Sequence, residues 1–164
     1  MASTIRRIGV SLCIPLALAL TGCGMDAQTL QPYTPAEGVN SSTSPVLIRN
    51  LLVVADNTGR GVISASLLTY GDDTLTSVAG VPQKSDGAPG SPLVVTTTGL
   101  PVQLSSNTLV VLTDAPVKIA VTSPDLKPGL LADVTFTFAK AGPVKLSAPV
   151  LSSAEAEYKG IPLG

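Results

Sequence analysis

Asp133-Val134-Thr135-Phe136-Thr137-Phe138 alternates polar and apolar residues without a break. A period of two places Val134, Phe136 and Phe138 on one face of an extended strand. Such a strand buries one face and wets the other, as antiparallel strands over a core do. From residue 45 onward the chain repeats this theme in short Val-, Leu- and Thr-rich runs separated by Gly, Pro, Asn and Asp. The runs predict strands over 46–55, 61–70, 74–79, 93–97, 102–104, 108–113, 117–122, 132–139 and 144–150, and no long helix. Turn chemistry falls between them at Asp56-Asn57-Thr58-Gly59, Gly71-Asp72-Asp73 and Lys140-Ala141-Gly142-Pro143, where glycine supplies positive φ and Asp or Asn caps the reversal. Residues 51–55 and 109–112 are continuously apolar, which predicts central strands or strands covered on both faces. The expected fold is an all-β antiparallel sandwich over residues 45–151.

The first 44 residues read differently. Arg6 and Arg7 precede an apolar stretch, 8–20, of about a dozen residues, the length of a secretory signal and too short for a bilayer span. The arginine pair sits in a context that fits twin-arginine export poorly, so the general secretory route is expected. Leu20-Thr21-Gly22-Cys23 closes the segment and resembles the lipobox of bacterial lipoproteins. That resemblance implies a signal peptide over 1–22, a diacylglycerol on the Cys23 thiol and a mature chain starting there. Several acyl chains anchor firmly where one does so only marginally, so the expected location is the extracytoplasmic face of the cell membrane. Residues 23–44 are small, polar and turn-forming, without a sustained period, and read as a flexible tether.

Composition then narrows the chemistry. About 140 residues remain after the signal, enough for one domain with a core. Cys13 leaves with the signal and Cys23 is taken by lipid, so no disulfide or thiolate metal site is available. The chain has no histidine, which removes Ser-His-Asp and Cys-His nucleophiles, the usual zinc sites and the commonest base near neutral pH. An Asp114 and Lys118 acid–base pair, four residues apart in a β-rich stretch, reads as a surface feature, and no enzyme is expected. The net charge is −1 and the lysines are scattered, so nucleic acid is not an expected partner. Without tryptophan and with five aromatics, Tyr33, Tyr70, Phe136, Phe138 and Tyr158, there is no stacking platform for bases or sugars. Asp72, Asp73, Asp86, Asp114 and Asp125 are oxygen donors of the kind calcium takes, yet their spacing matches no calcium loop and they read as turn caps. Two segments stand apart: 82–92, a loop dense in proline and glycine, and 152–164, a tail of little apolar content. Both read as variable surface that also offers room for a partner.

Three blocks carry a family resemblance. Residues 52–68 read as strand, turn and strand, Asp73-Thr74-Leu75 as a "D-x-L" strand, and Leu126-Lys127-Pro128-Gly129, Val134-Thr135-Phe136-Thr137-Phe138 and Ala141-Gly142-Pro143-Val144 as a closing block. Together they resemble the PCu(A)C family of extracytoplasmic copper chaperones, and with the lipobox and tether the plan is similar to the actinobacterial lipoproteins called LpqE. The resemblance implies a cupredoxin-like (immunoglobulin-like) sandwich. It also implies two ligand pairs of histidine and methionine, the first near 78–84 and the second near 115–118. Neither stretch holds a histidine or methionine, and Met25 is the sole methionine after the signal. Thioether and imidazole are the donors that suit Cu(I), so no metal ligand and no cofactor is carried over.

The expected function is therefore an interaction or accessory module for an envelope complex, with respiratory membrane complexes as the first place to look. The alternative is a copper chaperone for cytochrome oxidase maturation using unrecognised or partner-supplied ligands. Relatives carry their metal at one loop-bearing end. By that topology 82–92 and 114–118 should lie together, with Lys84, Asp86, Asp114 and Lys118 as partner-binding residues and the 152–164 tail as the competing contact.

Overall fold

A computed structural model describes residues 37–41, 45–114 and 116–163. Cys23, the signal and most of the tether lie outside them. Ten strands occur among the described residues: β1 Val39–Ser41, β2 Val46–Ala55, β3 Arg60–Thr69, β4 Asp73–Pro82, β5 Val94–Thr98, β6 Val102–Leu104, β7 Val110–Val111, β8 Lys118–Thr122, β9 Leu131–Phe138 and β10 Gly142–Ser152. They join in the order β5-β8-β3-β2-β10-β9-β4-β6, with β1 on β2 and β7 on β3. β10 links two layers, because its first part pairs antiparallel with β9 and its end, Val150 to Ser152, runs parallel to Val53 to Ala55 of β2. That parallel contact departs from the all-antiparallel expectation. It follows from one long strand serving both sheets.

The core lies between the layers and is aliphatic apart from Phe136 and Phe138, which stack with centroids 6.4 Å apart. Ala132, Val134, Phe136 and Phe138 of β9 are buried while the residues between them are half-buried, as the alternation requires. In β2 the inward residues are Val46 and Ile48, then Leu51, Val53 and Ala55. These two sets are out of phase by one residue, and strict alternation would turn one of them to solvent. A bulge between Arg49 and Leu52 restores the phase, with Asn50 in the left-handed region at φ 49°. The bulge also anchors β1, since Asn50 Oδ1 accepts from Gly38 N at 2.9 Å and Asn50 N donates to Asn40 Oδ1 at 2.9 Å. Residues 39–41, expected in the tether, therefore pair into the sheet.

Another difference is at 108–113. Only Val110–Val111 pair, and Leu109 is 58% exposed. This apolar run edges β3 instead of lying covered on both faces. Residues 51–55 behave as expected, and their outer cover is the C-terminal segment. Leu52 and Val54 of β2 and Val62 of β3 form a second apolar cluster on the outer face, against which Leu151, Tyr158, Ile161 and Leu163 pack. Successive turns shape this strap: Glu155 N donates to Ser152 O, Tyr158 N to Glu155 O and Ile161 N to Tyr158 O. The Tyr158 hydroxyl donates to the Glu37 carboxylate, tying the strap to the start of β1. Burial, then the bond to Glu37 and the charges of Glu37, Glu155 and Glu157, push the Tyr158 phenol up to about 12, so the phenol keeps the proton that it donates.

Candidate functional site

The two stretches where ligand pairs are expected sit on different elements. Residues 78–82 belong to β4, where Val78, Gly80 and Pro82 are buried. A Cβ at Gly80 would meet Leu93 Cδ1 at 2.7 Å and the Asp133 carbonyl oxygen at 3.0 Å, so a side chain there requires its neighbours to shift. Gln83 donates through Nε2 to Asp133 Oδ1 at 3.1 Å and Ser147 Oγ at 3.3 Å. The second stretch leads into β8, with Val117 buried and Lys118 half-buried. The donors present are an amide and two ammonium groups (Lys84 and Lys118), a set that does not fit Cu(I).

Nor do the carboxylates gather into a hard-cation site. Asp72 Oδ1 accepts from Ser106 N, Asp86 Oδ1 from Ala88 N and Asp125 Oδ2 from Ser91 N. Asp73 is buried and accepts from the N–H groups of Thr74, Lys140 and Ala141 at 2.7, 2.9 and 3.0 Å. Burial works against its charge, but these three donors and the Lys140 ammonium outweigh it and hold the carboxyl below the usual range. Asp114 is exposed in the turn before β8. Among the described residues no three His, Cys, Asp or Glu side chains come together as metal ligands do.

The expected docking end is not assembled. β8 pairs with β5 so that Thr122 faces Val94 and Lys118 faces Thr98. Loop 82–92 is fixed at the Thr122 end: Ser123 Oγ donates to Ser91 O, Ser91 N donates to Asp125, and Lys84 lies close enough to lower the Asp125 carboxyl. Lys84 and Asp86 are thus separated from Asp114 and Lys118 by the length of β8. The loop is also ordered internally, with Lys84 N bonded to Ala88 O, Gly87 N to Lys84 O and Gly90 N to Pro82 O. Asp114 and Lys118 form no ion pair. Instead Lys118 Nζ donates to the strap's Leu163 O at 3.4 Å.

That contact borders a half-open cavity of about 310 Å³, lined by Val62 and Val117 of the sheet side, Ile161 and Pro162 of the strap, and Lys118. A second space of about 280 Å³ lies between the edges of β4 and β5, where Thr76, Ser77 and Thr97 meet Leu100 and Pro101. Lys118 and the tail, taken from sequence as rival contacts, thus share one site. The sequence signal for it was the doubly apolar 51–55 run, which demanded a cover, together with Tyr158, Ile161 and Leu163 late in the chain.

No family model matches the chain, and no curated protein does. Among solved structures it is similar to the copper-bound PCuAC domain from PmoF2, with a TM-score of 0.50 and 17% identity over 70% of this chain and 98% of that one. The fold is PCuAC-like. The apo PCuAC domains from PmoF1 and PmoF2 superpose with a TM-score of 0.49 each, at 19% and 16% identity, over 70% and 71% of this chain and 99% and 98% of theirs. The blocks that carried the PCu(A)C resemblance form the scaffold of this PCuAC-like domain. Asp73 of the "D-x-L" strand accepts from the Ala141 amide of the closing block and from the Lys140 amide just before it. Leu126 is fully buried, and Gly129, at φ 86°, donates to Val150 O.

Proposed function

We propose that the chain is an extracytoplasmic lipoprotein of the LpqE kind, anchored through Cys23, whose PCuAC-like domain has lost copper carriage and serves as an interaction or accessory module for a membrane complex, respiratory assemblies first among the candidates. The observation that carries this reading is the filling of both expected ligand stretches by aliphatic, amide and ammonium groups within a PCuAC-like fold. No catalytic step is assigned. An anchored domain has a high effective concentration at the membrane, so a weak contact there is occupied. The copper-carrier alternative requires every soft ligand to come from a partner.

Two measurements test the reading. A soluble chain beginning at Glu37, which keeps β1 and the strap, is expected to lose Cu(I) completely to a chelator. A one-to-one complex with a Kd of about 1 nM or tighter would restore the carrier reading. Metabolic labelling with an alkyne fatty acid is expected to mark the wild-type chain and not Cys23→Ser, which should also leave the membrane fraction or stay unprocessed. Unlabelled wild type would end the lipoprotein reading.

A further inference from the structure

We propose that the cavity between the strap and the β5–β8 edge binds a monocarboxylate with a short apolar body, such as a medium-chain fatty acid, with Lys118 taking the carboxylate. The site is independent of the anchoring and of the docking function. Its lining is mainly apolar, from Val62, Val117, Ile161 and Pro162, with the hydroxyls of Thr98 and Thr113 also present. Lys118 is half-buried beside it and has no carboxylate within ion-pair distance among the described residues. Its one hydrogen bond, 3.4 Å to Leu163 O, is long for an ammonium donor. An ammonium carries three donors, so two remain for an anion, and the apolar walls strengthen the pairing relative to water.

The charge and size of the ligand follow from the same lining. One lysine without a second cation balances one negative charge, which disfavours a phosphate dianion. The volume, about 310 Å³, is about twice that of a cavity of roughly 150 Å³ that takes benzene and lies at the small end of ligand pockets. That room suits about ten to twelve heavy atoms, as in decanoate. The strap supplies one wall, so an apolar ligand buries itself against Ile161 and Pro162 as well as against the sheet.

The test uses the full chain in its own membrane, photolabelled with a decanoate probe carrying a diazirine near its methyl end, the adducts being mapped by mass spectrometry of peptides. Adducts are expected on the segments holding Thr98, Val117 and Ile161, removed by excess decanoate and about tenfold fewer with the matching decanol probe. Lys118→Gln should lower decanoate labelling to the decanol level, a change of about tenfold, and Lys118→Arg should restore it. Thr113→Phe, a bulky group placed at the lining, should block both probes while protease protection of the strap is retained. Equal labelling by acid and alcohol, undiminished labelling of Lys118→Gln, or adducts spread over the surface would overturn the assignment. Competition by an apolar tripeptide with a free carboxylate but not by decanoate would overturn the fatty-acid ligand in favour of a peptide terminus.

Discussion

Ending the chain after Leu151 is expected to destabilise the domain by about 3 kcal/mol, net of the entropy regained by the freed segment, and to lower Tm by roughly 10 °C. The reason is the outer cluster. Leu52, Val54 and Val62 are 3%, 0% and 2% exposed, and the strap is what covers them. Truncation turns them into a contiguous apolar patch of the sort that drives association, so the variant should also bind a hydrophobic dye and self-associate. Tyr158→Phe removes only the hydroxyl bond to Glu37 and should cost about 0.5–1.5 kcal/mol. Thermal unfolding of the three chains side by side is the measurement. An unchanged Tm for the truncated chain would mean that the strap is a passive tail. The result also governs how partner capture is tested: loss of a partner on truncation reports an exposed sheet as much as a lost contact.

How much of this was legible in the sequence depended on whether the signal was local. β2 and β6 match their predicted bounds, because alternation and turn residues are short-range properties. The PCuAC-like architecture was legible too, through blocks such as Asp73-x-Leu75 and Ala141-Gly142-x-Val144 whose joint meaning is a hydrogen bond between them. β1 was missed because its place is set by the Asn50 bulge, a pairing between residues about ten apart with no apolar pattern in Val39-Asn40-Ser41. The strap was missed for a related reason. Its apolar residues are sparse, and they acquire a role only against Leu52, Val54 and Val62. The expected closeness of 82–92 and 114–118 came from the resemblance and is not realised, because the β5–β8 register puts the two segments at opposite ends of β8. That 78–84 and 115–118 hold no histidine or methionine is a fact of single positions, but the cavity beside Lys118 needed the strap in place.

Replacing Asp73 by asparagine is expected to destabilise the domain by about 2–4 kcal/mol at neutral pH and to flatten its acid limb. The carboxylate accepts three N–H groups, from Thr74 within β4 and from Lys140 and Ala141 across the β9–β10 turn. An amide offers one oxygen to those donors and turns its own N–H groups toward the rest. Charge-assisted bonds are worth about 1.5–3 kcal/mol each when removed singly, and they are not additive because the donors share one group. The pH dependence follows from the lowered carboxyls. Asp73, Asp56, Asp125 and Asp133 are all held below their ordinary value in the folded chain. Below an unfolded-state value of about 3.9 the unfolded chain therefore binds more protons than the folded one, and stability falls as pH drops through the folded values. Above that point the contribution is fully present and constant. Urea unfolding of wild type and Asp73→Asn between neutral pH and pH 2 reads both effects. In wild type the midpoint should decline below about pH 4, and in the variant it should start lower and decline less steeply. Parallel curves would show that Asp73 contributes nothing to the acid transition, and an unchanged neutral midpoint would remove it as the link between the "D-x-L" strand and the closing turn.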